Sequence, residues 1–236
     1  MHAKPATRNP QPAPRTLTGQ LLTEMFDLLL AHFGPQKWWP AETELEMMVG
    51  AVLTQNTNWK NVEKAIENLK QSNMLTLDCL ATLDLGVLAR TIRPAGYYNI
   101  KAKRLKNLIL FIANQYQADL SMFLKEETET LRQGLLSVKG IGPETADSII
   151  LYAARRPLFV IDAYTHRILF RHDMCEEQAA YDALQELFMD HLYEDASLFN
   201  EFHALIVQAG KNYCRRKPLC SGCPLEKWGP GSPVLR

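Results

Sequence analysis

The sequence predicts an all-α protein. Apolar residues recur at helical spacing from Leu17 onward, strand-like character is confined to Leu158-Phe159-Val160-Ile161, and turn signals divide the chain into helix-sized pieces. Leu21, Leu22, Met25, Phe26, Leu28 and Leu29 form a first apolar stripe. Leu45, Met48, Val49, Val52 and Leu53 form a second, followed by Val62, Ile66 and Leu69. Leu105, Leu108, Ile109 and Ile112 repeat at i, i+3, i+4, i+7, and Tyr181, Leu184, Leu187 and Phe188 repeat similarly. Phe33-Gly34-Pro35, Arg93-Pro94-Ala95-Gly96 and Gly140-Ile141-Gly142-Pro143 supply the breaks. At ordinary helix lengths this makes about ten helices. The β-like run at 158–161 is too short to build a sheet.

Composition narrows the function classes. Hydrophobic residues make up 47% of the 236, enough to bury a core. Lys plus Arg and Asp plus Glu each number 26, so a polyanion cannot be held by global charge and any nucleic-acid site must rest on a local patch. No apolar run reaches membrane-spanning length and the N-terminus lacks the apolar core of a signal peptide, so a soluble, cytoplasmic chain is expected. Residues 1–16 hold four prolines and little that packs, and are expected to be a disordered tail. Five cysteines, three of them near the C-terminus, suggest metal or cluster chemistry in a reducing compartment and not a disulfide framework.

Residues 135–150 carry the first functional signal. A helix ending near Val138 is followed by Gly140 and Gly142, which suit a turn needing positive φ. Pro143 suits the first position of the next helix, and Glu144 its first turn. Such a turn lets backbone N–H groups approach a phosphate at a helix N-terminus. A plain helix corner is the competing reading. Twenty residues past Gly142, Asp162 follows four apolar residues. It could cap a helix over Ala163 to Arg171. It could also serve chemistry, since a fixed carboxylate stabilises a cationic sugar and orients an attacking water.

From about Trp38 to Cys223 the chain resembles the endonuclease III superfamily of helix-hairpin-helix DNA glycosylases. Within it, Trp38-Trp39-Pro40, Gly50 to Thr57, Arg93 to Asn99, Lys101 to Leu105 and Lys139 to Gly142 are similar to the 3-methyladenine DNA glycosylase III branch. The resemblance implies a two-lobed fold with a DNA cleft between the lobes. It implies a discontinuous helical domain over 17–45 plus 157–213, a six-helix domain over 46–156 containing the hairpin, a cysteine loop over 214–227 and a tail over 228–236. It makes Asp162 the catalytic carboxylate. It places Trp38, Trp39, Trp59 and Lys211 in the base pocket. Gln55 becomes the residue that fills the gap left by a flipped base, and Lys139, Gly140, Gly142 and Thr145 become DNA contacts. Indole faces suit a cationic alkylated purine. Ordinary core is the other reading of the tryptophans, and a solvated loop amide that of Gln55. Bifunctional members carry a lysine where this chain has Glu144, so no imine-forming amine is expected there. The basic run Arg93, Lys101, Lys103, Arg104 and Lys106 reads equally as a phosphate-contacting or a solvated face.

Cys214, Cys220 and Cys223 fall where the superfamily often holds a [4Fe–4S] cluster through four cysteines. The first spacing is one residue shorter than usual, and no cysteine follows Cys223. Three readings stand open: a lost cluster, a cluster with a non-cysteine ligand, or zinc aided by a histidine such as His203. The expected function is monofunctional release of an alkylated purine, 3-methyladenine first, from double-stranded DNA by a monomeric base-excision glycosylase. The alternatives are a glycosylase for oxidised pyrimidines or mismatched thymine, and a non-catalytic sensor of damaged DNA.

Overall fold

The computed structural model describes residues 16–36, 38 and 40–229. Among these residues it contains twelve α-helices and no strand. In chain order they are α1 (Leu17–Phe33), α2 (Glu44–Leu53), α3 (Trp59–Gln71), α4 (Leu77–Thr82), α5 (Leu85–Thr91) and α6 (Tyr98–Gln115). Then come α7 (Leu120–Leu124), α8 (Thr128–Ser137), α9 (Pro143–Ser148), α10 (Ala163–Arg171), α11 (Tyr181–Met189) and α12 (Ala196–Asn212). A 3-10 turn covers Arg93–Ala95, and α9 runs on into a π-helical stretch, Ile149–Ala153. The apolar run at 158–161 has no regular secondary structure. No described helix is long and apolar enough to cross a membrane. The predicted N-terminal tail, apart from Thr16, lies outside the described residues.

Local chemistry sets most of the helix starts. Thr16, Thr43, Asn58, Thr76 and Asp119 each precede a helix and accept a hydrogen bond from the N–H three residues on. Asp84 accepts from both Gly86 and Val87.

The chain divides into two compact units. One comprises Met1–Gly34, Tyr164–Tyr193 and Leu205–Arg236, the other Pro35–Ala163 and Glu194–Ala204. These bounds differ from the 17–45 plus 157–213 and 46–156 expected from the sequence. The second unit is centred on α2, where every residue after Glu44 is buried. A helix apolar all round must be covered on all sides, and α3, α6, α9 and the π-helical stretch pack against it. The stripe Leu105, Leu108, Ile109 and Ile112 of α6 is wholly buried, as its spacing required.

The basic run does not form a single face. The last carbonyls of a helix lack partners within it, and two of these lysines supply them. Lys101 is buried, its ammonium donating to Leu53 O and Ala95 O at 2.8 Å each. Burial, then the nearby charge of Arg104, pulls its pKa down to about 8. Lys106 donates to Leu80 O, Ala81 O and Leu83 O at the end of α4. Of the five, Arg93 and Lys103 are exposed.

In the first unit, Leu22, Met25, Phe26 and Leu29 of α1 are buried, and α1 packs on α11. Gly210 of α12 lies so close to α10 that an added Cβ would overlap the Tyr164 ring. The expected tail at 228–236 is corrected at its start. Trp228 is buried, its indole donating to Leu21 O at 2.8 Å and its carbonyl bonded to His172 Nδ1 at 2.7 Å. An indole of that size with both polar neighbours satisfied is an anchor, not a tail. Residues 230–236 lie outside the described residues.

One ion pair locks α8 to α9. Asp147 is fully buried and takes Arg132 Nε at 2.8 Å and NH2 at 3.3 Å on its two oxygens. Removing one partner of a buried pair strands the other charge. Arg132→Ala should therefore cost about 3–5 kcal/mol, read as a lowered urea midpoint with unchanged slope.

Candidate active site

The hairpin between α8 and α9 is braced by α6 and by the loop after α2. Gly140 has φ +101° and is approached so closely by Arg104 Cγ that a Cβ there would clash. Gly142 differs from expectation: its φ is −102°, so no left-handed turn requires glycine there. Nothing lies within 4 Å of where its Cβ would stand, and its missing side chain leaves the backbone before Pro143 open. No side chain caps α9, so its leading end is available to an outside acceptor.

Gln55 is not a loose loop amide. Its Nε2 donates to Thr145 Oγ1 at 2.9 Å and to Gly140 O at 3.2 Å, while Arg104 donates to its Oε1 at 2.5 Å. Asn107 of α6 donates to Lys139 O at 2.9 Å. Lys139 and Gly140 are exposed. Thr145 is buried with its hydroxyl turned to Gln55, which leaves its backbone as the part able to face a ligand.

Asp162 stands directly before α10, at the end of the apolar run 158–161. That run is held by aromatic packing: the Phe159 ring lies 5.4 Å from that of Phe199 and 5.8 Å from that of Phe202, both edge-on and both from α12. The same turn of α12 carries His203, whose Nε2 is 3.7 Å from Asp162 Oδ2. His203 Nδ1 lies 2.5 Å from the Tyr152 hydroxyl. Tyr152 belongs to the π-helical stretch, a distortion common at functional sites.

Glu144 completes a carboxylate pair. It sits in the first turn of α9, on the exposed side. Its pKa is pushed up to about 7, first by the protein packed around the carboxyl and then by the charge of Asp162. Burial, then the charge of Asp162, holds the Tyr152 phenol well above its usual range, and hydrogen bonding to Trp38 acts against them. Asp162, Glu144, Tyr152, His203 and Trp38 thus form one group within the second unit.

Of the other expected pocket residues, Trp38 is half-buried and lines a cavity of about 360 Å³ with Met47, Leu151 and Tyr152. Trp59 is half-buried at the first position of α3. Lys211 is exposed in the last turn of α12, in the first unit. Trp39 lies outside the described residues. Sequence reasoning missed Tyr152, read Arg104 only as part of a basic run, and considered His203 only as a zinc ligand. The signal for His203 was present: a single polar side chain inside the apolar run Phe202 to Val207.

All five cysteines are free thiols. Cys214, Cys220 and Cys223 line a cavity of about 410 Å³ together with Arg171, His172 and Glu226. Burial, opposed by a backbone hydrogen bond at Leu225, raises the Cys223 thiol pKa, and the other two thiols add to the rise. Arg171 fastens the loop, donating to Cys214 Sγ at 3.2 Å, Arg215 O at 2.6 Å and Arg216 O at 3.1 Å. Arg167 donates to Cys214 O at 2.6 Å. His203, considered as a zinc ligand, belongs to the other unit and is engaged by Tyr152 and Asp162. Among the described residues no group of three His, Cys, Asp or Glu side chains could hold a metal ion. Three thiols are also one short of a four-cysteine cluster set.

Comparison with known proteins places this geometry. Residues 49–193 match the model of the HhH-GPD superfamily of base excision DNA repair proteins. A protein of Methanocaldococcus jannaschii provisionally named a DNA repair glycosylase is 47% identical over 210 residues, covering 89% of this chain and 96% of its own. The crystal structure of the H. pylori 3-methyladenine DNA glycosylase bound to 1,N6-ethenoadenine is 34% identical with a TM-score of 0.71, covering 82% of this chain and 97% of that one. A trapped endonuclease III–DNA covalent intermediate shares the fold at 19% identity and a TM-score of 0.77, covering 92% and 98%. The chain belongs to the HhH-GPD superfamily of base excision DNA repair proteins and is a DNA glycosylase of that family.

Proposed function

We propose that the protein releases an alkylated purine, 3-methyladenine foremost, from double-stranded DNA by hydrolysis, leaving an intact abasic site. The observation that carries this reading is the pair Asp162 and Glu144. Breaking an N-glycosidic bond builds positive charge on the sugar, and Asp162 is a carboxylate held in place to offset it and to orient a water. Where an imine mechanism needs an amine, this chain offers Glu144. The likeness to the H. pylori 3-methyladenine DNA glycosylase supports the lesion class, and an indole at Trp38 suits a flipped cationic base. The open backbone at Gly142 and the uncapped start of α9 supply the phosphate contact.

Single-turnover excision from duplexes carrying methylated purines, 1,N6-ethenoadenine, oxidised pyrimidines or mismatched thymine tests the lesion class. Alkylated purines should be released fastest, and preference for an oxidised pyrimidine would refute the reading. Asp162→Asn should slow release by at least about 10²-fold while binding to an abasic duplex stays within error. A variant that excises at the parental rate would leave Asp162 a helix cap only. Borohydride added during turnover should trap no adduct, and strands should break only after hot alkali.

Glu144 adds a pH signature. Its carboxyl prefers the proton in the folded state, with a pKa of about 7 against an ordinary 4.5. The stability tied to that preference is complete below about 4.5 and is lost as pH rises through about 7. Glu144→Gln, neutral throughout, should melt with the parent at pH 4 and above it at pH 8. Equal melting at both would show that folding does not raise the Glu144 pKa.

A further inference from the structure

We propose that His203 is a positioning residue for Asp162, held by Tyr152 in the neutral tautomer whose Nε2–H faces the carboxylate. The inference rests on the reading of Asp162 given above and assigns a role to two residues outside it. The geometry is a line of side chains. Asp162 Oδ2 is 3.7 Å from His203 Nε2, and the other ring nitrogen is 2.5 Å from the Tyr152 hydroxyl. The ring is 6% exposed among apolar neighbours on α12. In such a place each ring nitrogen needs a partner; Nδ1 is bonded to a phenol, and Nε2 faces a carboxylate that lies just beyond hydrogen-bond distance.

The direction of the hydrogen bonds follows from the donors available. Tyr152 is buried, and its pKa lies well above the ordinary value, chiefly through burial. Its hydroxyl keeps its proton over any working pH. The nitrogen that faces a carboxylate is the one suited to carry the ring's proton, so Nε2 bears it and Nδ1 is left to accept from the Tyr152 O–H. The donors run one way, from phenol to imidazole to carboxylate.

This arrangement orients Asp162 without spending its charge. An imidazolium beside the carboxylate would cancel the field that stabilises the sugar cation. A neutral N–H directed at one oxygen orients the carboxylate and leaves its charge intact. The 3.7 Å separation is long for a hydrogen bond, as such contacts often are before substrate closes the site. The π-helical stretch serves the same end, shifting the helix face so that Tyr152 meets His203.

The test combines substitution with a direct view of the ring. In 15N-histidine-labelled protein, His203 should titrate as a neutral ring protonated on Nε2 near pH 7, and Tyr152→Phe should populate the other tautomer. This arm needs no substrate, and an Nδ1–H tautomer in the parent would overturn the proposal. In single-turnover excision from a 1,N6-ethenoadenine duplex and from methylated DNA, His203→Leu should lose about 10²-fold in rate with unchanged half-saturation. His203→Gln, whose amide can still donate to Asp162, should recover most of that loss. Each variant is first checked for cooperative unfolding. Equal losses in His203→Leu and His203→Gln, or a change in half-saturation alone, would reduce His203 to packing. The two readings fail separately. An active Asp162→Asn removes the catalytic role of Asp162, whereas an inactive Asp162→Asn beside a fully active His203→Leu removes only the positioning role.

Discussion

The candidate site depends on one aromatic contact, the burial of Phe159 against Phe199 and Phe202 of α12. A chain leaving the π-helical stretch has four apolar residues before Asp162 and too few to form a sheet. It is held in place by side-chain packing, with Phe159, Val160 and Ile161 all buried. That packing fixes where the run ends, and the next residue is the carboxylate. Because α12 supplies both the aromatic surface and His203, the contact that places Asp162 also places its neighbour. Side chains locked by packing hold a site more tightly than a free loop can.

The hairpin follows the same logic with polar bonds. Arg104 crowds Gly140 and donates to Gln55, and Gln55 donates back to Gly140 O and Thr145. Three elements far apart in sequence are thereby tied at one turn. This changes how a chain of zero net charge can hold a polyanion. Lys101, Arg104 and Lys106 are spent on carbonyls and an amide, so they contribute little as a free basic face. On the proposed function the grip would fall to oriented N–H groups at the start of α9 and to exposed Lys139, a local device that global charge does not report. A flipped base would have to release Gln55 from these bonds before its side chain could enter the helical stack.

The sequence was most informative where a signal is local. Periodicity gave the buried stripes of α2, α3 and α6, because it depends on neighbours three or four residues away. The helix after Asp162 was legible for the same reason. What stayed hidden depended on partners distant in the chain. Lys101 read equally as a phosphate contact or a solvated cation until its carbonyl partners were seen 6 and 48 residues away. Gly142 looked like a turn glycine, yet its backbone is extended. Trp228 looked like part of a tail until its bond to Leu21, 207 residues earlier, showed it as an anchor. His203 and Tyr152 are 51 residues apart, and no spacing rule joins them.

Glu144 shows how one side chain redirects a shared framework. An amine at that position would be cationic, drawn to Asp162 and to phosphate, and able to attack the sugar. A carboxylate reverses each of these properties. The protein packed around it, and then repulsion by Asp162, favour holding a proton, the direction in which its pKa moves. A protonated carboxyl is a donor, able to hold a water or an oxygen beside Asp162 without adding a second negative charge. In the proposed hydrolysis one carboxyl must stay charged against the sugar cation and the other must not compete with it. The same framework that would carry an amine into covalent attack here carries an acid whose ordinary use is to manage water.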